Sequence, residues 1–216
     1  MDYQGLSINH FEHDTFQLKK GDLVVYLDPF KLTDRQIEPA DFIFITHHHF
    51  DHCSPEDIKK IIAGKTVILA GGLSEEQLKD LKVKEVKFVK PREHFEFENL
   101  KVETVPAYNL DKWRSKGVPY HPREENHVGF VVEIDGIRIY HPGDSDNIPE
   151  MAELKNIDVA LIPVSGTYVM TPLEAISACG IIKPKLAIPM HYGSIVGNQS
   201  DAQEFKEGAN CQVELI

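Results

Sequence analysis

The chain has 216 residues, 42% hydrophobic and 26% charged, with a formal net charge of −11. This length supports one sizeable core rather than two independent ones, so residues 1–216 are expected to form a single domain. The acidic balance argues against the broad basic face that nucleic acid or an anionic membrane would need, while leaving room for local basic pockets, and no apolar run approaches the roughly 20 residues of a bilayer span.

The opening residues, MDYQGLSINHFEHD, lack the charged and apolar regions of a secretory leader. TFQLKKGDLVVYLDPF reads as two strands joined at a Lys-Gly-Asp turn. DFIFIT is almost wholly apolar, as expected of a strand covered on both faces. SPEDIKKIIAG carries a Ser cap, Pro in the first turn, early acids and late lysines, the signature of a helix. TVILAG repeats the strand and LSEEQLKDLKV the capped helix. A β-rich meander follows through KEVKFVK, HFEFENLKVETVPA and VGFVVEIDGIRIYHPG, with Asp135-Gly136 as a hairpin turn. The stretch Leu110–Asn126 has little periodicity and is expected to be a long loop. DVALIPV, TPLEAISACGIIKP and LAIPMH return to strand–helix alternation. The expected class is α/β, with mixed sheets flanked by helices. Cys53, Cys179 and Cys211 form no C-x-x-C pattern, which points to reduced thiols and a cytoplasmic setting.

The chemistry is concentrated in ITHHHFDHCSPED, which leaves the apolar strand directly. His47, His49 and His52 supply imidazoles and Asp51 a hard carboxylate, a mixture suited to zinc, iron or manganese. The i, i+2 spacing of His47 and His49 allows both rings to point one way from extended chain. Asp51 and His52, from the following turn, can serve a second ion. Two further apolar strands also end in a potential ligand. Asp144 follows IRIYH, with Gly143 permitting a sharp turn, and His191 follows LAIPM. Ligands at several strand ends fit the edge where α/β folds place their sites.

These residues resemble the metallo-β-lactamase superfamily. Its H-x-H-x-D-H motif is matched by His47, His49, Asp51 and His52, its bridging Asp by Asp144, and its final His by His191. HDTFQL…VVYLDPF, PVSGTYVMTPLEA and IKPKLAIPMHYG look more narrowly like the branch of small metal-dependent hydrolases that includes ascorbate-6-phosphate lactonase and N-acyl-phosphatidylethanolamine phospholipase D. The resemblance implies a four-layer αββα sandwich of two mixed sheets with one or two divalent metals, zinc first and manganese or iron as alternatives. It places His13 and Asp28 close to the site, as partners for the outer nitrogens of the ligands. There is one departure. The superfamily expects a third histidine of the first metal site after the middle strand, and VPAYNLDKW has Asn109 there. Either Asn109 coordinates through its carbonyl oxygen or another residue replaces it. Of His121 and His127, His121 is preferred because its loop can fold back.

The resulting expectation is a metal-dependent hydrolase acting on a small ester, lactone or phosphodiester. Asp51 would orient or deprotonate the water, and Tyr168 or His121 would donate to the developing oxyanion. The other reading, motivated by the missing histidine, is a metal-binding or sensory protein without turnover. The partner is a small molecule rather than nucleic acid, and the sequence gives no oligomeric state.

Overall fold

The computed structural model describes residues 1–33, 37–98 and 100–216, which group into two compact units, 1–90 with Ile216 and 91–215. The first unit carries a seven-stranded sheet in chain order: β1 (Asp2–Tyr3), β2 (Leu6–His10), β3 (Phe16–Lys20), β4 (Leu23–Leu27), β5 (Phe42–Ile45), β6 (Val67–Ala70) and β7 (Glu85–Phe88). β1 to β4 pair antiparallel, whereas β4, β5, β6 and β7 are parallel. The parallel strands are linked by longer connections, among them α1 (Pro55–Ile61) and α2 (Glu75–Leu78).

The helix expected at SPEDIKKIIAG forms as α1, with Ser54 Oγ accepting from the Asp57 amide and Pro55 in the first turn. Its Ile58 and Ile61 are fully buried among Tyr26, Ile43, Ile45 and Ile68. Each such side chain contributes about 1.5–3 kcal/mol through removal from water. Phe44 points to the other face of β5 and is also fully buried, which is why DFIFIT shows no alternation.

Asp57 ties α1 to the chain after β4. It accepts from the amides of Lys31 at 2.9 Å and Leu32 at 3.0 Å, from Ser54 Oγ and from Lys60 Nζ, both at 2.8 Å. Burial alone would raise its pKa, but the Lys60 ammonium, the Ser54 hydroxyl and the two amides outweigh burial and hold it below the usual carboxylate value. A lowered folded pKa adds stability that is present above the unfolded pKa and disappears as pH falls through the folded one. Asp57→Ala is therefore expected to cost about 2 kcal/mol at neutral pH, measured by urea unfolding, with the difference from wild type shrinking in acid.

The second expected helix is much shorter than LSEEQLKDLKV suggested. α2 is a single turn, and Ser74 does not cap it, because its hydroxyl donates to the Gly71 carbonyl at 2.6 Å.

The second unit carries β8 (His94–Phe97), β9 (Leu100–Pro106), β10 (Trp113–Ser115), β11 (Val118–Pro119), β12 (Val128–Ile134), β13 (Ile137–His141), β14 (Val159–Pro163), α3 (Pro172–Ile182), β15 (Leu186–Met190), α4 (Gln199–Gly208) and β16 (Gln212–Val213). Its seven-stranded sheet runs β16-β15-β14-β13-β12-β9-β8 and is again mixed, antiparallel on one side of β13 and parallel on the other. Position 99, within the expected meander, lies outside the described residues. Asp135 at φ 53° and Gly136 at φ 76° turn the β12–β13 hairpin as the sequence indicated. Buried Ala175, Ala178, Cys179 and Ile182 of α3 and Phe205 of α4 join a core with Tyr140, Ala160, Ile162 and Ala187.

The stretch 110–126 is not wholly loop. β10 and β11 form a small exposed hairpin, and Trp113 is half-exposed on it. Among the described residues, no helix is long and apolar enough to cross a membrane.

Candidate metal centre

Strand direction decides which residues can meet in each unit. In the first unit β4 and β5 are parallel, so Asp28, just after β4, and Thr46, just after β5, leave the same edge. β3 is antiparallel to β4 with Phe16 opposite Leu27, which brings the β2–β3 connection carrying His13 and Asp14 to that edge as well. Asp28 is the hub. Its Oδ1 accepts from the Thr46 amide at 2.7 Å, and its Oδ2 accepts from Thr46 Oγ1 at 2.6 Å and His52 Nδ1 at 2.7 Å. Thr46 Oγ1 in turn lies 3.0 Å from His47 Nδ1. His47 Nε2 and His49 Nδ1 stand 3.0 Å apart, His52 Nε2 is 3.6 Å from Asp14 Oδ2, and His13 Nε2 is 3.4 Å from Asp51 Oδ2.

The second unit repeats the logic. β13, β14 and β15 are parallel neighbours, so Asp144, Ser165 and His191, each following one of them, leave one edge. Antiparallel pairing of β12 with β13 and β9 brings the ends of the Ala107–His127 connection to the same edge. The Asp144 carboxylate is buried and faces two rings, Oδ2 lying 3.3 Å from His121 Nε2 and Oδ1 lying 3.3 Å from His191 Nε2. Asn109 Oδ1 is 2.9 Å from His121 Nδ1, and Ser165 Oγ is 3.0 Å from His191 Nδ1.

Hydrogen-bond accounting assigns the ring protons. Thr46 gives its hydroxyl proton to Asp28, so it accepts from His47 Nδ1–H. His52 Nδ1–H donates to Asp28. Ser165 gives its proton to the Thr167 carbonyl at 3.1 Å and so accepts from His191 Nδ1–H. In the neutral rings the Nε2 atoms of His52 and His191 are then lone pairs turned toward carboxylate oxygens of Asp14 and Asp144, and that of His47 faces His49 Nδ1. Lone pairs gathered on acceptors suit a cation. The His47–His49 spacing of 3.0 Å is also near the roughly 3.3 Å that separates two ligands in tetrahedral zinc with Zn–N of about 2.0–2.1 Å. The donor set fits a divalent metal.

Of the residues singled out in the sequence, the first unit brings His47 to His49, Asp28 to His52 and His13 to Asp51. The second gathers Asn109, His121, Asp144 and His191, while Tyr168 contributes its carbonyl to Asn109 Nδ2 at 2.8 Å and packs its ring edge-on to Tyr120. His127 pairs with Glu125 at 3.0 Å. His13, Asp28, Tyr168 and His191 all have positive φ, from 43° to 69°, a strained conformation that a non-glycine residue keeps only where its surroundings demand it.

Thr46, Ser165, Asp14 and Asp146 were missed. Asp146 accepts from the amides of Leu110 at 2.6 Å and Asp111 at 3.1 Å, fixing the start of the 110–126 stretch. Burial pushes its pKa up, against the pull of those amides and of Lys112. Cys53 is buried in the core with Tyr26 and Ile58, and burial together with the Asp28 charge pushes its thiol up to about 12.

A family model described as a beta-lactamase superfamily domain matches residues 7–191. A protein of Staphylothermus marinus named UPF0173 metal-dependent hydrolase is 34% identical over 187 residues, covering 84% of this chain and 75% of its own. A solved structure from Parabacteroides distasonis, described as a candidate metal-dependent hydrolase, superposes with a TM-score of 0.85 at 32% identity over 97% of this chain and 92% of that one. Igni18, named a metallo hydrolase of the archaeon Ignicoccus hospitalis, gives 0.75 at 21% identity over 98% and 94%, a likeness of fold.

Proposed function

The chain belongs to the β-lactamase superfamily and has the metallo-β-lactamase fold, its relatives are named metal-dependent hydrolases, and we propose that it cleaves a small ester, lactone or phosphodiester. We take residues 1–216 as one functional domain, acting in the reducing cytoplasm, where its free cysteines stay reduced. His47, His49, Asp51, His52, Asp144 and His191 hold one or two divalent cations, with zinc favoured by the imidazole-rich set. The observation that carries this reading is the buried Asp144 carboxylate, with one oxygen toward His121 Nε2 and the other toward His191 Nε2 at equal distance. Bound there, the metal would lower the pKa of a water toward neutrality and polarise the scissile carbonyl or phosphoryl group.

The chain's own groups do the rest. Asp51 orients the attacking water and takes its proton, steadied by His13. Asp28 and Thr46 fix the tautomers of His52 and His47, and Ser165 that of His191, so each ring meets its partner without reorganising. The Tyr168 hydroxyl donates to the charge that develops on the substrate oxygen. The net charge of −11 favours a small substrate over a polynucleotide.

The test is a screen of protein loaded in turn with zinc, manganese and iron against p-nitrophenyl phosphodiesters, p-nitrophenyl esters and lactones. Turnover on at least one class is expected, lost on chelation and restored by metal. Hydrolysis that survives chelation would overturn the reading, and bound metal without turnover across the screen would favour a sensory role.

A further inference from the structure

Resting on that metal-dependent reading, we propose that His121, beside Asp144, supplies the metal-binding imidazole that the family motif places at position 109, and that Asn109 is its positioning residue rather than a ligand. Position 109 is where the family motif places a histidine, and the asparagine there has every polar atom of its side chain engaged. Its Oδ1 accepts from the His121 amide at 3.0 Å and from His121 Nδ1 at 2.9 Å. Its Nδ2 donates to the Tyr168 carbonyl at 2.8 Å and to Asp146 Oδ1 at 3.2 Å. These partners fix the amide's orientation, because a backbone N–H can only donate and a backbone carbonyl can only accept. An oxygen already holding two N–H groups is poorly placed to coordinate a cation.

The same accounting fixes His121. Its Nδ1 must carry the proton given to Asn109, so the neutral ring presents an Nε2 lone pair, directed at Asp144 Oδ2. The backbones add a further tie, the Asn109 amide donating to the His121 carbonyl at 2.9 Å. The intervening chain leaves as β10, turns and returns as β11, which is how a residue so far along the sequence comes back beside position 109. His121 then matches His191 across one carboxylate: both rings nearly fully buried, both with Nδ1–H held by a side-chain oxygen, both with Nε2 at 3.3 Å. His127 differs, its Nε2 lying 3.0 Å from the Glu125 carboxylate and its ring edge-on to His121.

Two readouts other than turnover test this. Long-range 1H–15N NMR of the metal-free wild type should show His121 as the Nδ1–H tautomer; an Nε2–H tautomer would overturn the assignment without need of any variant. Zinc content and affinity, by elemental analysis and competition with a chromophoric chelator, should then separate the variants. His121→Ala should hold one metal fewer than wild type. Asn109→Ala should keep the number but bind about 10–100-fold more weakly, as expected when the group orienting a ligand is removed. Asn109→His should bind no more tightly than wild type, because the new ring displaces the contacts that aim His121. Wild-type metal content retained in His121→Ala, or tighter binding in Asn109→His, would overturn the relocation while leaving the hydrolase reading standing. A wild type that takes up no metal would remove both.

Discussion

Asp51→Asn is expected to lower turnover by about 10²–10⁴-fold, the range that a positioned general base contributes. The substitution keeps the size of the side chain and an oxygen that can face His13, but it removes the negative charge that attracts the water proton. Asp51 sits at the boundary of the buried residues at 9% exposure, so the loss of charge leaves the core untouched. The measurement is kcat on whichever substrate class the screen identifies, with thermal unfolding alongside. Turnover within about threefold of wild type, on a folded protein, would remove Asp51 from the mechanism.

Asp144→Asn strikes deeper. One carboxylate serves two rings, and an amide can present only one anion-like oxygen, its nitrogen instead donating to one of the Nε2 lone pairs. Metal content is expected to fall by at least one ion per chain. kcat/KM should fall by about 10³-fold or more, roughly 4 kcal/mol at 1.36 kcal/mol per decade. The metal-free variant should be no less stable than metal-free wild type, since the exchange replaces a buried charge facing two lone pairs with a neutral donor. A loss of metal accompanied by a collapse of the apo fold would instead make Asp144 a structural residue.

Much of this was legible in the sequence because it is local. The contiguous His47–His52 run follows an apolar strand, and α1 carries its cap, its proline and its charges in order. Asp144 and His191 were legible as strand ends, though it is the parallel order of β13, β14 and β15 that brings them to one carboxylate. Thr46, Ser165 and Asp146 gave no signal. A hydroxyl or carboxyl after a strand is ordinary, and only tertiary contact shows which proton it fixes. The β10–β11 hairpin escaped notice because both faces are exposed, which erases the alternation that marks a half-buried strand. α4 was hidden for a related reason: only Ala202 and Phe205 are buried along it. At position 109 the sequence revealed a gap and favoured His121 to fill it, but not the role of Asn109, because hydrogen bonds, not spacing, tie Asn109 to His121.

Metal content per chain tests most directly whether the His47–His52 run and the Asp144–His191 pair hold metal as proposed. Elemental analysis of zinc-loaded, chelator-washed protein should give close to two ions for wild type. His47→Ala and His191→Ala should each lower that number by at least one. Two ions retained by both variants, or none in a wild type that still turns over substrate, would contradict it.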